Sequence, residues 1–272
     1  MQNTFAPTRI DSAEMTRLIE ENLSAKSMDF SRLPGGIAQT GNPTWFTSGL
    51  KRAGYNGITW ARFDPHEVDQ QIESCLEPFR QDSIPPTWWV GPLSEPGSLG
   101  QALQAHSFHH NRDMIGMAAH LDSLAEIAAS DLNYRFEPVL DRVGLEAWLP
   151  LFMETFGMQT DDKDFVLDTF SQLSFPPGSE WRHYLLRVDG KVAATSSLHL
   201  GAEVAGLYNI ATRHIYRQHG LGTAITLLTL EEARHMGLSV GTLQTTYPNA
   251  LRLYHRMGFE VYCKIGVYQK SW

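Results

Sequence analysis

The sequence predicts a mixed α/β protein built from two related halves, and three observations carry that reading. From about Leu132 onward, short β-type runs alternate with amphipathic helical runs in the order β-α-α-β-β-β-α-β-α-β, the last run being long enough for one strand or two. In the middle of that order, "YRQHGLGTAITLL" sets two glycines in front of a long apolar run. The end of the N-terminal half, "TWWVGPLSEPGSLGQALQAHSF", can be laid on "VGTLQTTYPNALRLYHRMGF" with Phe108 matched to Phe259. Both stretches read strand, turn, short helix, small residue, Phe, which suggests a duplication.

Each element has a local cause. After the strand "NYRFEPV", Leu145, Trp148, Leu149, Phe152 and Phe156 follow the i, i+3, i+4, i+7, i+11 spacing of one helical face. A second helix over Asp162 to Leu173 is stopped by "FPPG". "WRHYLLRV" and "KVAATSSLHL" form a hairpin through Asp189-Gly190, a pair that takes positive φ at little steric cost. A strand over Val204 to Thr212 leads into the glycine loop and a helix to about Met236, with Gly237 as its C-terminal cap. "SVGTLQTT" is the next strand, "NALRLYHRM" a short helix ended by Gly258, and "FEVYCKIGVYQ" the closing strand or strands. The N-terminal half is less regular, with helices expected at Ser12 to Asn22 and Pro65 to Phe79. Trp88 and Trp89 lie on a strand whose alternation would bury one and turn the other outward.

The 272 residues, 42% of them hydrophobic, suffice for one large or two modest packed units. The start of the chain lacks the basic and apolar runs of a signal peptide, and no segment offers the roughly 18 apolar residues of a membrane span, so a cytoplasmic protein without membrane contact is expected. Two distant cysteines, Cys75 and Cys263, suggest neither a disulfide framework nor a thiolate metal site. A net charge of −8 argues against nucleic acid as a partner, because phosphate binding needs a concentrated basic surface. His106, His109 and His110 straddle a helix end and a strand, so they do not share a face and no metal is expected.

A glycine turn opening a helix leaves backbone N–H groups without intrahelical partners, where the helix dipole adds positive potential. Such a terminus suits a phosphate, although the same glycines also serve a tight turn and close packing. The loop has no lysine for the G-x-x-x-x-G-K-[ST] pattern, and Ile225 stands where G-x-G-x-x-G needs its third glycine. What fits is R-x-x-G-x-G, from Arg217 to Gly222. With this loop in "YNIATRHIYRQHGLGTAITLL", and with "LQTTYPNALRLYHRMGFEVYCKIGVY" downstream, the C-terminal half resembles a GNAT superfamily N-acetyltransferase over roughly Leu132 to Tyr268.

The resemblance implies a tandem protein with a degenerate GNAT-like domain over residues 1–130, shaping the acceptor pocket, and a complete catalytic GNAT domain over 131–272. It implies acetyl-CoA as acyl donor. The backbone of Ile210, Ala211 and Thr212 would pair with the pantetheine arm, and Arg217, Gln218, His219, Gly220, Leu221, Gly222 and Thr223 would surround the pyrophosphate. Tyr254, in "LYHRMGF", falls at the family's general-acid tyrosine. The base is unassigned: "VAGLYNIAT" lacks the glutamate some members carry there, Glu203 reads as a solvated turn residue, and Tyr208 and Asn209 are candidates for ordering a water. Tyr247 fills the position of the family's asparagine, leaving Asn249 displaced and available as a helix cap. The implied activity is transfer of an acetyl group to an amine of a small molecule or peptide by a monomer or homodimer. A non-catalytic acyl-CoA binder and a transferase of larger acyl groups are the alternatives.

Overall fold

The computed structural model describes residues 10–127 and 130–272. Among these, the strands are β1 (Ile37–Gln39), β2 (Thr44–Thr47), β3 (Gly57–Thr59), β4 (Thr87–Val90), β5 (His109–His120), β6 (Arg135–Val139), β7 (Trp181–Val188), β8 (Lys191–His199), β9 (Ala205–Thr212), β10 (Val240–Thr245) and β11 (Glu260–Gln269). The helices are α1 (Ser12–Met28), α2 (Val68–Gln81), α3 (Leu99–Ala105), α4 (Arg142–Phe156), α5 (Lys163–Ser174), α6 (Leu221–His235) and α7 (Pro248–Met257). All eleven strands join one mixed sheet in the order β1-β2-β3-β4-β11-β5-β10-β9-β8-β7-β6.

That order interleaves the two halves of the chain. β5, from the first half, lies between β10 and β11 of the second and pairs antiparallel with both. β11 in turn pairs antiparallel with β4 of the first half. On either side of the central β5–β11 pair stands one parallel pair, β3 with β4 and β9 with β10. The stretches aligned on Phe108 and Phe259 occupy corresponding places, since β4-α3-β5 and β10-α7-β11 run through the sheet in the same sequence of elements.

Helices cover both faces. α1 buries Met15, Leu18, Ile19 and Leu23 with Trp89, Ala118, Val240 and Ile265 of the sheet, and α4 and α5 continue the same face around Trp148, Leu149 and Phe170. On the other face, α6 and α7 pack Leu221, Ile225, Tyr254 and Met257 with Leu207 and Leu243, and α2 and α3 cover Ile58 and Trp88.

Local chemistry fixes the element ends. Asp11 caps α1 by accepting from the Glu14 N–H at 2.8 Å, and Asp141 caps α4 from the Gly144 N–H at 2.8 Å. Asp189 (φ 48°) and Gly190 (φ 75°) make the turn of the expected β7–β8 hairpin. Helix α1 runs six residues past the expected end at Asn22, because its buried face continues through Leu23, Ser24 and Ser27. β1, β2 and β3 have only three or four residues each, too short for a two-residue alternation to register in sequence. Trp88 and Trp89 do point to opposite faces, but neither faces solvent: both faces of β4 are covered, and the two are 0% and 9% exposed.

Candidate active site

The parallel pairing of β9 with β10 stops early. Ala205, Gly206 and Leu207 pair with Gly241, Thr242 and Leu243, and beyond Leu207 the strands diverge. The cause lies in β9, where Asn209 takes φ 53° and the register with β8 slips between Ser197↔Tyr208 and Thr195↔Ala211. An extra residue in one strand bends it and sharpens its twist. Ala211 and Thr212 stay paired with β8, while their other edge faces the gap that β10 has left.

The glycine loop opens onto this gap. Gly220, at φ 76°, is the N-terminal cap position of α6, and no side chain caps the helix. Left-handed backbone suits glycine, and an uncapped first turn presents free N–H donors with the positive end of the helix dipole. Gly222 lies close under β9: a Cβ placed there would meet Thr212 Oγ1 at 3.2 Å. Gln218 is also left-handed, at φ 69°, and Arg217 Nε donates to the Thr212 carbonyl at 3.1 Å, tying the loop to the strand end. The His219 imidazole is turned to Asp131, with Nδ1 2.8 Å from Oδ2, while its carbonyl accepts from Ser130 Oγ at 2.8 Å. The open strand edge, the uncapped helix and the bare glycines bring unpaired backbone groups together beside the gap.

Tyr254 comes from α7, an amphipathic helix that buries Tyr254 and Met257. It shares its apolar cluster with Leu221 and Ala224 of the first turns of α6 and with Leu207 and Leu243, the last residues of the parallel pairing. Its ring meets Phe259 edge-on at 5.9 Å, and its hydroxyl has no hydrogen-bond partner among the described residues. Burial pushes the phenol up to about 12, so it stays protonated at neutral pH.

On the α1 face of the gap lies a polar network that no sequence motif marked. The Tyr208 hydroxyl donates to Asn22 Oδ1 at 2.7 Å, and Asn22 Nδ2 donates to the carbonyls of His199 (3.2 Å) and Gly201 (2.7 Å). Burial raises the Tyr208 phenol further still. Asn209 Nδ2 donates to Ser197 Oγ at 3.1 Å, Ser197 Oγ lies 2.6 Å from His183 Nδ1, and His183 Nε2 lies 2.7 Å from Ser174 Oγ. Burial among aromatic rings holds His183 down to about 3, so the imidazole is neutral and relays hydrogen bonds to the bulge. Tyr208 and Asn209, the candidates for ordering a water, thus each donate one hydrogen bond within the protein.

Other expected positions resolve plainly. Glu203 is exposed in a turn at φ 58°. Asn249 is not a helix cap: Tyr247 holds that position, with Pro248 opening the helix and fixing its first turn. His106 is held by Asp69 and Glu73 and His110 by Asp113, each serving its own hydrogen bonds. His199 and Asp29, both buried, meet the half-exposed Glu180. There His199 Nδ1 accepts from the Gly201 N–H at 3.3 Å, which leaves Nε2 to donate to Asp29 Oδ2 at 2.9 Å. Both cysteines are free and buried, their thiols pushed up to about 12.

The corresponding place in the first half is closed. Ile58 pairs with Trp88, and beyond it the chains rejoin as the Glu95 N–H donates to Ala61 (2.9 Å) and the Phe63 N–H to Glu95 (2.9 Å). What space remains between is lined by Glu20, Leu23, Thr59, Trp60, Trp89 and Ile265.

Known proteins share this fold. Residues 145–259 match the model of the Acetyltransferase (GNAT) family, a span from the first helical turn of α4 to the start of β11. A solved structure described as a GCN5-related N-acetyltransferase from Kribbella flavida superimposes with a TM-score of 0.73 at 18% identity, covering 94% of this chain and 95% of that one. A GCN5-related N-acetyltransferase from Sphaerobacter thermophilus gives 0.63 at 16% identity over 96% and 94% of the two chains. A tandem GNAT protein from the clavulanic acid biosynthesis pathway gives 0.62 at 13% identity over 94% of each. The match to the GNAT acetyltransferase family covers residues 145–259, and the fold is shared with these proteins along nearly the whole length of the chain.

Proposed function

We propose that the protein is an acetyl-CoA-dependent N-acetyltransferase that passes the acetyl group directly to an amine. The observation that carries the reading is the β9–β10 gap, with the uncapped α6 N-terminus at one end and the unpartnered Tyr254 hydroxyl in the apolar cluster beside it. In this reading the free edge of Ile210, Ala211 and Thr212 receives the pantetheine amides as another strand would. The N–H groups from Gln218 to Thr223 hold the pyrophosphate, and Arg217 adds positive charge at the loop entrance.

When bound, acetyl-CoA supplies an activated acyl carbon with a thiolate leaving group. The amine nitrogen forms the new bond to that carbon as the carbon–sulfur bond breaks. Tyr254 Oη gives its proton to the departing sulfur and later regains one from solvent, while the amine loses one to water. A hydroxyl without another partner, kept neutral by burial, suits that donation. In this reading donor and acceptor enter from opposite sides of the gap: acetyl-CoA along α6 and α7, the amine from the side of α1 and α5.

The two halves then read as a duplication whose first copy lost its cofactor site and was kept as a wall of the acceptor pocket. The rejoined strands at Ala61, Phe63 and Glu95 support that reading, since no trough remains between β3 and β4. Isothermal titration with acetyl-CoA and longer acyl-CoAs, followed by a free-thiol release assay over an amine panel, tests the assignment. Micromolar acetyl-CoA binding with amine-dependent thiol release is expected. Binding without release from any amine would leave an acyl-CoA binder instead. Tyr254→Phe is expected to lower kcat by roughly a hundredfold or more while leaving acetyl-CoA affinity intact; unchanged turnover would remove the general-acid role.

A further inference from the structure

Lys26 stands one helical turn after Asn22 on α1, and both residues meet Tyr208 where β9 leaves β10. Its Nζ lies 5.4 Å from the Tyr208 ring centroid and 5.6 Å from that of Phe30. Tyr55 extends this wall, packing edge-on against Phe30 at 4.9 Å and against Phe165 of α5 at 5.7 Å. Among the described residues the ammonium has no ion pair and no hydrogen-bond acceptor. The carboxylates nearby are engaged elsewhere: Asp29 with His199 at 2.9 Å and Arg32 at 3.2 Å, Glu21 with Arg17, and Glu180 toward His199 at 3.5 Å. A surface lysine ordinarily extends its head into water, yet this one lies among rings at the mouth of the gap. Burial draws it down to about 8 against the pull of Asp29, which leaves it mostly charged at neutral pH.

We propose that Lys26 recognises the acceptor by pairing with a carboxylate carried on the same molecule as the reacting amine, so that the acceptor is of the amino-acid class. The proposal rests on the reading of the site as an N-acetyltransferase. The first half of the chain then supplies the group that selects the substrate for the second. The same positive charge disfavours the protonated form of the incoming amine, which must be neutral to attack.

The test compares proteinogenic amino acids with their α-carboxamides as acceptors for wild type, Lys26→Met and Lys26→Arg, with thermal melts to verify folding. Wild type should prefer the free acid by roughly tenfold to a hundredfold in kcat/KM, as hydrogen bonds to charged groups warrant. Lys26→Met should erase the preference through KM, Lys26→Arg should keep most of it, and acetyl-CoA affinity should not move. Equal kcat/KM for acid and amide in wild type overturns the proposal. So does a Lys26→Met variant that lowers kcat alike for both and strips a limb from the pH–rate profile, which would make Lys26 a proton acceptor. If no amine is turned over, the transferase reading fails separately, and calorimetry of the same amino acids with CoA-saturated protein decides: binding lost in Lys26→Met supports the proposal, and no binding to wild type overturns it.

Discussion

An ammonium kept among aromatic rings without a carboxylate costs stability, and Lys26 gives that cost a measurable form. Its folded-state value lies below that of the unfolded chain, so the fold holds its proton less tightly than the unfolded state does. The penalty is full below about pH 8 and fades as the pH rises from there to the ordinary lysine value of 10.5. Replacing Lys26 by Met should therefore raise the melting temperature at pH 7, by at most roughly 3 kcal/mol in stability, with the gain shrinking above pH 8. A variant more stable and less selective than wild type is what a residue retained for recognition should yield. In sequence, Lys26 is one of several charges on an amphipathic helix. Nothing local marks it, because Asn22 on the same face meets Tyr208 across 186 residues. Gly220, Gly222 and Tyr254 stand out in the sequence because each belongs to a compact motif whose spacing survives in one dimension.

At the scale of elements, the first turn of α6 and the helix α1 behave differently. The α6 terminus is defined by what it lacks, a capping side chain and a Cβ at Gly222, and Gly222→Val would place methyl groups against Thr212 and over the free amides. Acetyl-CoA affinity should fall roughly tenfold or more, read by isothermal titration, with little change in melting temperature. Helix α1 carries Glu20 into the closed space between β3 and β4, where its carboxylate accepts from the Leu93 N–H at 3.1 Å. Burial pushes this carboxyl up to about 7, more than the Leu93 bond and Arg62 pull it down. Its folded value is thus above the unfolded 4.5, so stability declines as pH rises from about 4.5 to 7 and the cost is complete above 7. Glu20→Gln should stabilise the protein at pH 8 by up to about 3 kcal/mol and make no difference near pH 4, as denaturant melts at the two pH values would show. The sequence predicted α1 as a helix but gave no sign of this charge, since burial depends on a gap that only the sheet creates.

For the whole molecule, the element order of the C-terminal half was readable because its helices and hairpin are long and their punctuation is explicit: Asp189-Gly190, Gly237 and Gly258 all take positive φ as their turns require. The first half was obscure because β1, β2 and β3 are brief and much of its order is imposed by neighbours from the other half. Interleaving was not legible at all, since the aligned stretches give like elements without saying which partners they choose. It bears directly on a boundary placed near residue 130. A fragment of residues 131–272 would leave β10 and β11 each without the neighbour that β5 provides. Exposed edges of this kind invite aggregation. Expressed alone it should be largely insoluble, and co-expression with residues 1–130 should restore soluble material that elutes as one complex on size exclusion. Soluble, folded 131–272 by itself would show that β5 is dispensable.

The central β5–β11 pair also sets a timetable. Asn111 of β5 donates to Gln269 of β11 at 2.7 Å across a separation of 158 residues, and β4 finds the same partner strand. Contacts so distant along the chain are slow to form, because the intervening loop must close before any pairing is rewarded. During synthesis, the first half would leave the ribosome with one edge of β4 and both edges of β5 unmatched; β10 could cover one edge of β5, and the other two edges would stay open until β11 emerged. The seam at the middle of the sheet is thus the last part of the protein able to fold, and a nascent chain must be protected there longest.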